Sequence, residues 1–179
     1  MVWVWLFVYY SFFGYLLERM FAKVTCAPKQ VRKCFLLLPL CPVYGLAMTA
    51  FLALTDPGDY SALGLILRGA VLTTIVEYGV HLLYEWVFGV KFWDYSGVAG
   101  NIWGRVCLPF SAAWGLLSAW SIRYLQPLLL PLAEQTPPLV SYLLLVVLSA
   151  DAVLSAALLR RYHDTELLSL RAVGRRLAG

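Results

Sequence analysis

The sequence predicts an all-α, polytopic integral membrane protein. Hydrophobic residues make up 61% of the 179-residue chain and charged residues only 13%, whereas soluble domains carry roughly 25% charge. The mean hydropathy is +0.75. Apolar stretches recur along the chain, each close to the ~20 residues that a helix needs to cross the hydrocarbon core of a bilayer. The net charge of +4 is modest and no basic run accompanies a soluble fold, so a nucleic-acid partner is not expected.

Five stretches are long and apolar enough to be transmembrane helices. They are, approximately, residues 1–22, 35–54, 63–90, 108–131 and 138–160. Residues 1–162 are therefore predicted to form a single transmembrane domain. Residues 163–179 contain several arginines and read as a short basic amphipathic cytoplasmic tail.

Positive charge alternates between the connecting segments. Segment 23–34 and the tail are basic, and segment 91–107 holds two bases and one acid. Segments 55–62 and 132–137 carry only acidic charge. The positive-inside rule then predicts a multi-pass protein of the cell inner (plasma) membrane, with the N-terminus outside and the C-terminus in the cytoplasm.

The third span contains the stretch EYGVHLLYE, which places Glu77, His81 and Glu85 at i, i+4 and i+8 of one helix. Glu77 lies near the predicted bilayer midplane, where an ionised group costs on the order of 3 kcal/mol. Such a cost favours a cation site, a proton relay or a catalytic acid or base. The alternative is a paired or protonated carboxylate that holds helices together. Asp151, near the middle of the last span, is a further acid that could share a cavity with Glu77.

Two other segments depart from a simple span. Pro39 and Pro42 in the second span predict a broken or kinked helix, because proline lacks the backbone donor and clashes with the preceding turn. Residues 92–107, rich in Trp, Tyr and Gly, predict an interfacial or re-entrant element that caps the cytoplasmic mouth of a cavity. An ion pair between Asp94 and Arg105 is expected to hold this element.

An ordered set of motifs runs through residues 5–127. It comprises an acid at the end of the first span, P-x-C-P-V-Y-G from Pro39, E-x7-E from Glu77, W-D-Y-S from Trp93, N-x-x-G-R-x-C-L from Asn101, and W-G at 114–115. In this order and spacing the chain resembles the bacterial membrane-protein family labelled putative ABC-transporter type IV, or CmpB-like putative ABC-transporter permeases. The resemblance implies a small permease-like protein. Carried over position by position, it implies functional roles for Glu18, Tyr44, Glu77, Glu85, Trp93, Asp94, Tyr95, Asn101 and Arg105.

The sequence therefore predicts five helices around a polar cavity lined by the first three spans, with Glu77 at its floor and Glu85 near its cytoplasmic mouth. The candidate substrate-binding or proton-relay residues are Glu18, Tyr44, Glu77, His81, Glu85, Asp94, Tyr95, Asn101, Arg105 and Asp151. No spacing typical of a metal site occurs, so neither a metal nor a cofactor is expected.

Three functions remain open at this point. The first is a permease that moves a small molecule or lipid, the second an embedded enzyme acting on a lipid or isoprenoid, and the third an accessory subunit of a larger complex. The chain has no G-x-x-x-x-G-K-[ST] motif, so ATP use would require a separate ATPase subunit. The expected partners are the lipid bilayer and either further copies of the chain or such a subunit.

Overall fold

A computed structural model describes residues 1–25, 34–56, 58 and 61–168. Its helices are α1 (Val2–Val24), α2 (Pro42–Leu54), α3 (Ala62–Phe88), α4 (Leu108–Trp120), α5 (Gln126–Gln135) and α6 (Pro138–Tyr162). A π-helical turn, Ser121–Leu125, joins α4 to α5, so these two form one continuous helix. Over the described ranges the protein thus has five helices, which confirms the all-α class.

Two of these helices, α3 and α6, are long and apolar enough to cross a membrane by length and composition. Helix α2 is a shorter apolar helix of 13 residues. The predicted second span is therefore helical only in its second part. Residues 35–41 form an irregular segment, and the helix begins at Pro42, the first position, where a missing N–H costs nothing.

Polar groups hold this irregular segment in place. The Cys41 N–H donates to the Ser11 carbonyl of α1 at 2.9 Å. The Leu37 and Leu38 N–H groups donate to the two carboxylate oxygens of Asp151 on α6, each at 3.2 Å. The proline-containing segment therefore keeps hydrogen bonds that a regular helix would have made internally.

Small residues bring the helices close together. A Cβ added at Gly45 of α2 would lie 2.5 Å from the Phe7 carbonyl of α1, and one added at Gly115 of α4 would lie 2.5 Å from the Ile66 carbonyl of α3. Helices in lipid associate through such close backbone approach. Lipid tails are as apolar as the side chains, so the hydrophobic effect does not drive the helices together. Helix α1 packs against α2, α2 against α3, and α3 against α4. Helix α5 packs against α1.

The segment after α3 folds back into the bundle. Gly89 ends α3 in a left-handed conformation with φ of +66°. The Trp93 carbonyl then lies 3.1 Å from His81 Nε2, about 10 Å back along α3 at 1.5 Å per residue. A short antiparallel pair of β1 (Asn101–Ile102) and β2 (Val106–Cys107) closes the segment. Residues 89–107 thus fold back along α3 and bury part of their length against it; this segment is called the re-entrant loop below, after the prediction.

Helix α6 lies at the edge of the bundle and is attached to it by polar contacts at its two ends as well as by Asp151. Near its start, Ser141 Oγ accepts from Trp5 Nε1 at 2.8 Å. Past its end, His163 Nδ1 lies 2.7 Å from the Phe88 carbonyl. Leu168, in the first part of the predicted tail, is fully buried against the core. Residues 169–179, the rest of that tail, lie outside the described residues.

Candidate functional site

A cavity of about 290 Å³ lies between α1 and α4, with α2 and α3 behind it. Its lining is mostly apolar and aromatic, and two carboxylates face it. The lining residues that carry chemistry are Tyr10, Glu18, Tyr44, Thr73, Glu77, Trp93, Tyr95, Trp114, Ser118 and Ser121. The helix α4 therefore contributes a wall that the sequence analysis did not include.

Glu77 lies at the back of this cavity and is only 6% exposed. Its Oε1 accepts from the Tyr95 hydroxyl at 3.1 Å, and its Oε2 accepts from Trp114 Nε1 at 3.0 Å. Tyr95 comes from the re-entrant loop and Trp114 from α4, so three parts of the chain converge on one carboxylate. An indole N–H can only donate, so Oε2 acts as an acceptor in either protonation state.

A second carboxylate–tyrosine pair lies next to the first. The Tyr44 hydroxyl on α2 donates to Glu18 Oε1 on α1 at 2.7 Å. The Tyr44 ring meets the Trp114 ring edge to face, at 5.0 Å between centroids and 87° between planes. Glu18, Tyr44, Trp114, Glu77 and Tyr95 thus form a continuous chain of contacts across the cavity.

The exposed side chains among the lining residues lie on α1 and α4, so the cavity opens between these two helices. At the end nearer the N-terminus of α1, the Tyr10 hydroxyl donates to Gln126 Oε1 at 2.9 Å. At the other end, the rings of Phe21 and Phe110 meet at 6.1 Å. Between these two contacts α1 advances about 16 Å at 1.5 Å per residue. The structure therefore leaves a side window, whose rim carries the exposed side chain of Met20.

Glu85 does not lie in this cavity, contrary to the prediction that it marks the cytoplasmic mouth. Its Oε2 accepts from Arg105 Nη2 at 2.9 Å, and its Oε1 lies 3.7 Å from Lys91 Nζ. Eight residues along an α-helix add about 80° of rotation beyond two full turns. That drift carries Glu85 off the face that holds Glu77.

The expected Asp94–Arg105 pair is also absent, since Arg105 binds Glu85 instead. Asp94 is exposed and accepts from the hydroxyl and the N–H of Ser96. Those two hydrogen bonds lower the pKa of Asp94. Asn101 has a similar role, because its side chain bonds the Val98 carbonyl and the Gly104 N–H. Both residues shape the re-entrant loop.

His81 and Asp151 are likewise outside the lining. His81 is buried, with Nε2 at the Trp93 carbonyl and its ring against the Trp93 ring at 5.2 Å. Asp151 faces the irregular segment before α2, as described above, so the suggestion that it shares a cavity with Glu77 is wrong. Its sequence context could not reveal this, because its partners are backbone N–H groups.

Of the ten candidates, the structure brings four together in one cavity, namely Glu18, Tyr44, Glu77 and Tyr95. The candidates predicted from the sequence did not include Trp114, which lines the cavity. The available signal was its place in the W-G pair, where Gly115 allows α4 to approach α3. Among the residues that the structure describes, no group of three or more His, Cys, Asp or Glu side chains is arranged to hold a metal ion.

Residues 5–156 match the family described as Putative ABC-transporter type IV. The chain belongs to this family. No curated protein and no solved structure matches it. The membership supports a membrane protein of transporter type, and it leaves the substrate to be inferred from the site itself.

Proposed function

We propose that this protein is a permease-like membrane subunit that takes a lipid or a similarly hydrophobic small molecule from the bilayer through the side window between α1 and α4. The observation that carries the proposal is the position of Glu18 and Glu77 within a laterally open, mostly apolar cavity. A ligand that arrives from water would need a polar entrance. A ligand that arrives from lipid needs the apolar rim found here.

The lining offers different surfaces to the two ends of such a ligand. Leu16, Met20 and Leu117 offer apolar surface near the window, which suits a hydrocarbon body. Glu77 and Glu18 offer acceptor oxygens at the back, which suit a polar end group. The Tyr95, Trp114 and Tyr44 donors fix the orientation of both carboxylates before the ligand arrives, and such preorganisation lowers the cost of binding.

The orientation follows from the charge of the loops. With the N-terminus outside, α1 runs inward, and the window between Tyr10 and Phe21 lies in the cytoplasmic half of the bundle. Loading would then occur from the inner leaflet. Movement against a gradient would draw on a separate ATPase subunit, because the chain has no P-loop.

Native mass spectrometry of the detergent-purified protein tests the proposal. Leu117→Trp should fill the cavity, because Leu117 lines it, whereas Leu116→Trp at the neighbouring exposed position should not. We expect a co-purifying adduct on the wild type and on Leu116→Trp, and its loss on Leu117→Trp. Equal adducts on both variants would place binding elsewhere on the surface and contradict the proposal.

Transport is tested with the same pair in proteoliposomes that contain the partner ATPase. We expect uptake of the co-purified molecule by the wild type and by Leu116→Trp, and uptake at background level by Leu117→Trp. Full uptake by a correctly folded Leu117→Trp would favour the accessory-subunit function over the permease.

A further inference from the structure

Two buried hydroxyl groups line the cavity in addition to its carboxylates. They belong to Ser118, near the end of α4, and to Ser121, the first residue of the π-helical turn. We infer that these two serines form a second polar subsite, which binds an uncharged hydrogen-bonding group of the ligand, a hydroxyl or an ester carbonyl. This inference rests on the proposed function, since it names a further part of the molecule that enters the same cavity.

The first argument is that both hydroxyls are buried without a partner. Ser118 is 2% exposed and Ser121 is 4% exposed, and neither side chain makes a hydrogen bond to another residue that the structure describes. A hydroxyl on a helix often bonds the carbonyl one turn back, as Thr73 of the same lining does with Gly69 at 2.7 Å. A buried hydroxyl without a partner costs free energy, and a ligand group that bonds it removes that cost.

The second argument is the position of the two serines along α4. Trp114 donates to Glu77 at the back of the cavity, and Ser118 and Ser121 follow Trp114 by four and seven residues. At 1.5 Å per residue they lie about 6 and 10 Å further along the helix axis. A ligand whose end is held at Glu77 therefore reaches the serines with a group further along its length.

The third argument is the local shape of the helix. The Ser121 carbonyl accepts from the Gln126 N–H five residues later, so the chain makes a π-helical turn here. Such single turns within α-helices are frequent at functional sites. Ser121 begins the turn and Leu125 ends it, and both residues line the cavity. The departure from regular α-helix therefore lies in the cavity wall, at the inferred subsite.

The chemistry of the two side chains indicates an uncharged group. A serine hydroxyl can donate and accept, so it pairs with a hydroxyl or with a carbonyl. A buried ion needs a partner of opposite charge close to it, and the two serines supply none. The inferred subsite is the same whichever protonation state the cavity glutamates have.

A matched series of probes tests the inference. Methyl 8-hydroxyoctanoate carries a hydroxyl and an ester, 1-octanol carries only the hydroxyl, methyl octanoate only the ester, and nonane neither. Binding is followed by the change in tryptophan fluorescence in maltoside micelles, because Trp93, Trp114 and Trp120 line the cavity. Each probe is compared between variants, so its partition into the micelle cancels.

Three variants identify the groups responsible. Ser118→Ala and Ser121→Ala each remove one hydroxyl from the cavity. Ser155→Ala is the matched control, because Ser155 on α6 is also buried without a hydrogen-bond partner among the described residues but does not line the cavity. We expect each cavity variant to bind methyl 8-hydroxyoctanoate roughly three- to tenfold more weakly than the wild type and to bind nonane equally well. Ser155→Ala should leave all affinities unchanged.

Thermal unfolding separates a binding role from a structural one. None of the three variants should lower the Tm, because none removes a hydrogen bond within the described part of the protein. A drop in Tm confined to Ser118→Ala and Ser121→Ala would assign their hydroxyls to the packing of the fold and contradict the inference.

The binding outcomes separate the inference from the function on which it rests. An effect of the cavity variants on 1-octanol but not on methyl octanoate would identify a hydroxyl as the bound group. The reverse pattern would identify an ester carbonyl, and both results support the inference. Equal affinities of all variants for every probe would overturn the inference and leave a lipid-binding cavity. No saturable binding of any probe to the wild type would contradict the proposed function as well.

Discussion

Asp151 provides the sharpest test of how the broken second span is held. The carboxylate on α6 accepts the N–H groups of Leu37 and Leu38, and Asp151 is only 7% exposed. These two bonds connect α6 to the irregular segment before α2. Removing the carboxylate should therefore destabilise this junction, while the cavity, which Asp151 does not line, keeps its lining.

The magnitude follows from the number of bonds lost. A hydrogen bond to a charged group contributes about 1.5–3 kcal/mol. Asp151→Ala removes both acceptors, and we expect a loss of about 3–5 kcal/mol, because two bonds to one carboxylate are not additive. Asp151→Asn keeps one acceptor oxygen and places an NH₂ group against the second N–H. We expect a smaller loss, of about 2–3 kcal/mol, from that variant.

The assay is unfolding in mixed micelles with increasing SDS, followed by circular dichroism, together with hydrogen exchange at residues 37 and 38. Glu134→Ala is the control, since Glu134 is an exposed acid on α5. Faster exchange at both amides in Asp151→Ala should accompany the loss of stability. Stabilities of Asp151→Ala and Glu134→Ala within about 0.5 kcal/mol of each other, the range of ordinary surface changes, would contradict a stabilising role of the Asp151 carboxylate.

Three further predictions concern packing, the ion pair on α3 and the re-entrant loop. Gly45→Ala should lower the free energy of unfolding by about 1–3 kcal/mol through overpacking. Gly79→Ala is the control and should be neutral or stabilising, because nothing lies within 4 Å of a Cβ added there. Equal effects of the two variants on unfolding in SDS would contradict this prediction. Arg105→Ala should lower the stability only slightly, and less at high salt, because its ion pair with Glu85 is partly exposed; a loss as large as that of Gly45→Ala would contradict this. The lowered pKa of Asp94 contributes stability at neutral pH that should disappear as the pH falls from about 4 through that pKa. Asp94→Asn should remove this acid dependence from the unfolding curve, and an unchanged curve would show that another group causes it.

Much of the helical framework was predictable from the sequence, because the lengths of the apolar stretches indicate the helices. The stretch predicted at 63–90 corresponds to the helix Ala62–Phe88, and the one predicted at 138–160 corresponds to the helix Pro138–Tyr162. The prolines of the second span correctly indicated the break before α2. The fourth stretch, by contrast, was predicted to end near 131 but runs to Gln135. A π turn widens the helix just before Pro127, and such a local change leaves no periodic signal.

The site was predictable only in part. A carboxylate within a long apolar stretch is costly enough to indicate a site, and Glu77 does line the cavity. Glu85 is also a glutamate and lies on the same helix as Glu77. The rotation of α3 over the eight residues between them places Glu85 beside Arg105 instead. Trp114 became significant only through the approach of α4 to α3. Such contacts depend on how helices pack, which spacing along one helix does not specify.

We propose that a molecule from the bilayer occupies the cavity between α1 and α4 with its polar end at Glu77. A high-resolution density map of the protein in lipid nanodiscs, with mass spectrometry of what co-purifies, would show such a molecule. We expect elongated density that enters between Tyr10 and Phe21 and ends within contact of Glu77 and Trp114. A map in which α1 and α4 close on each other, with the two carboxylates sealed among side chains and nothing bound, would contradict it.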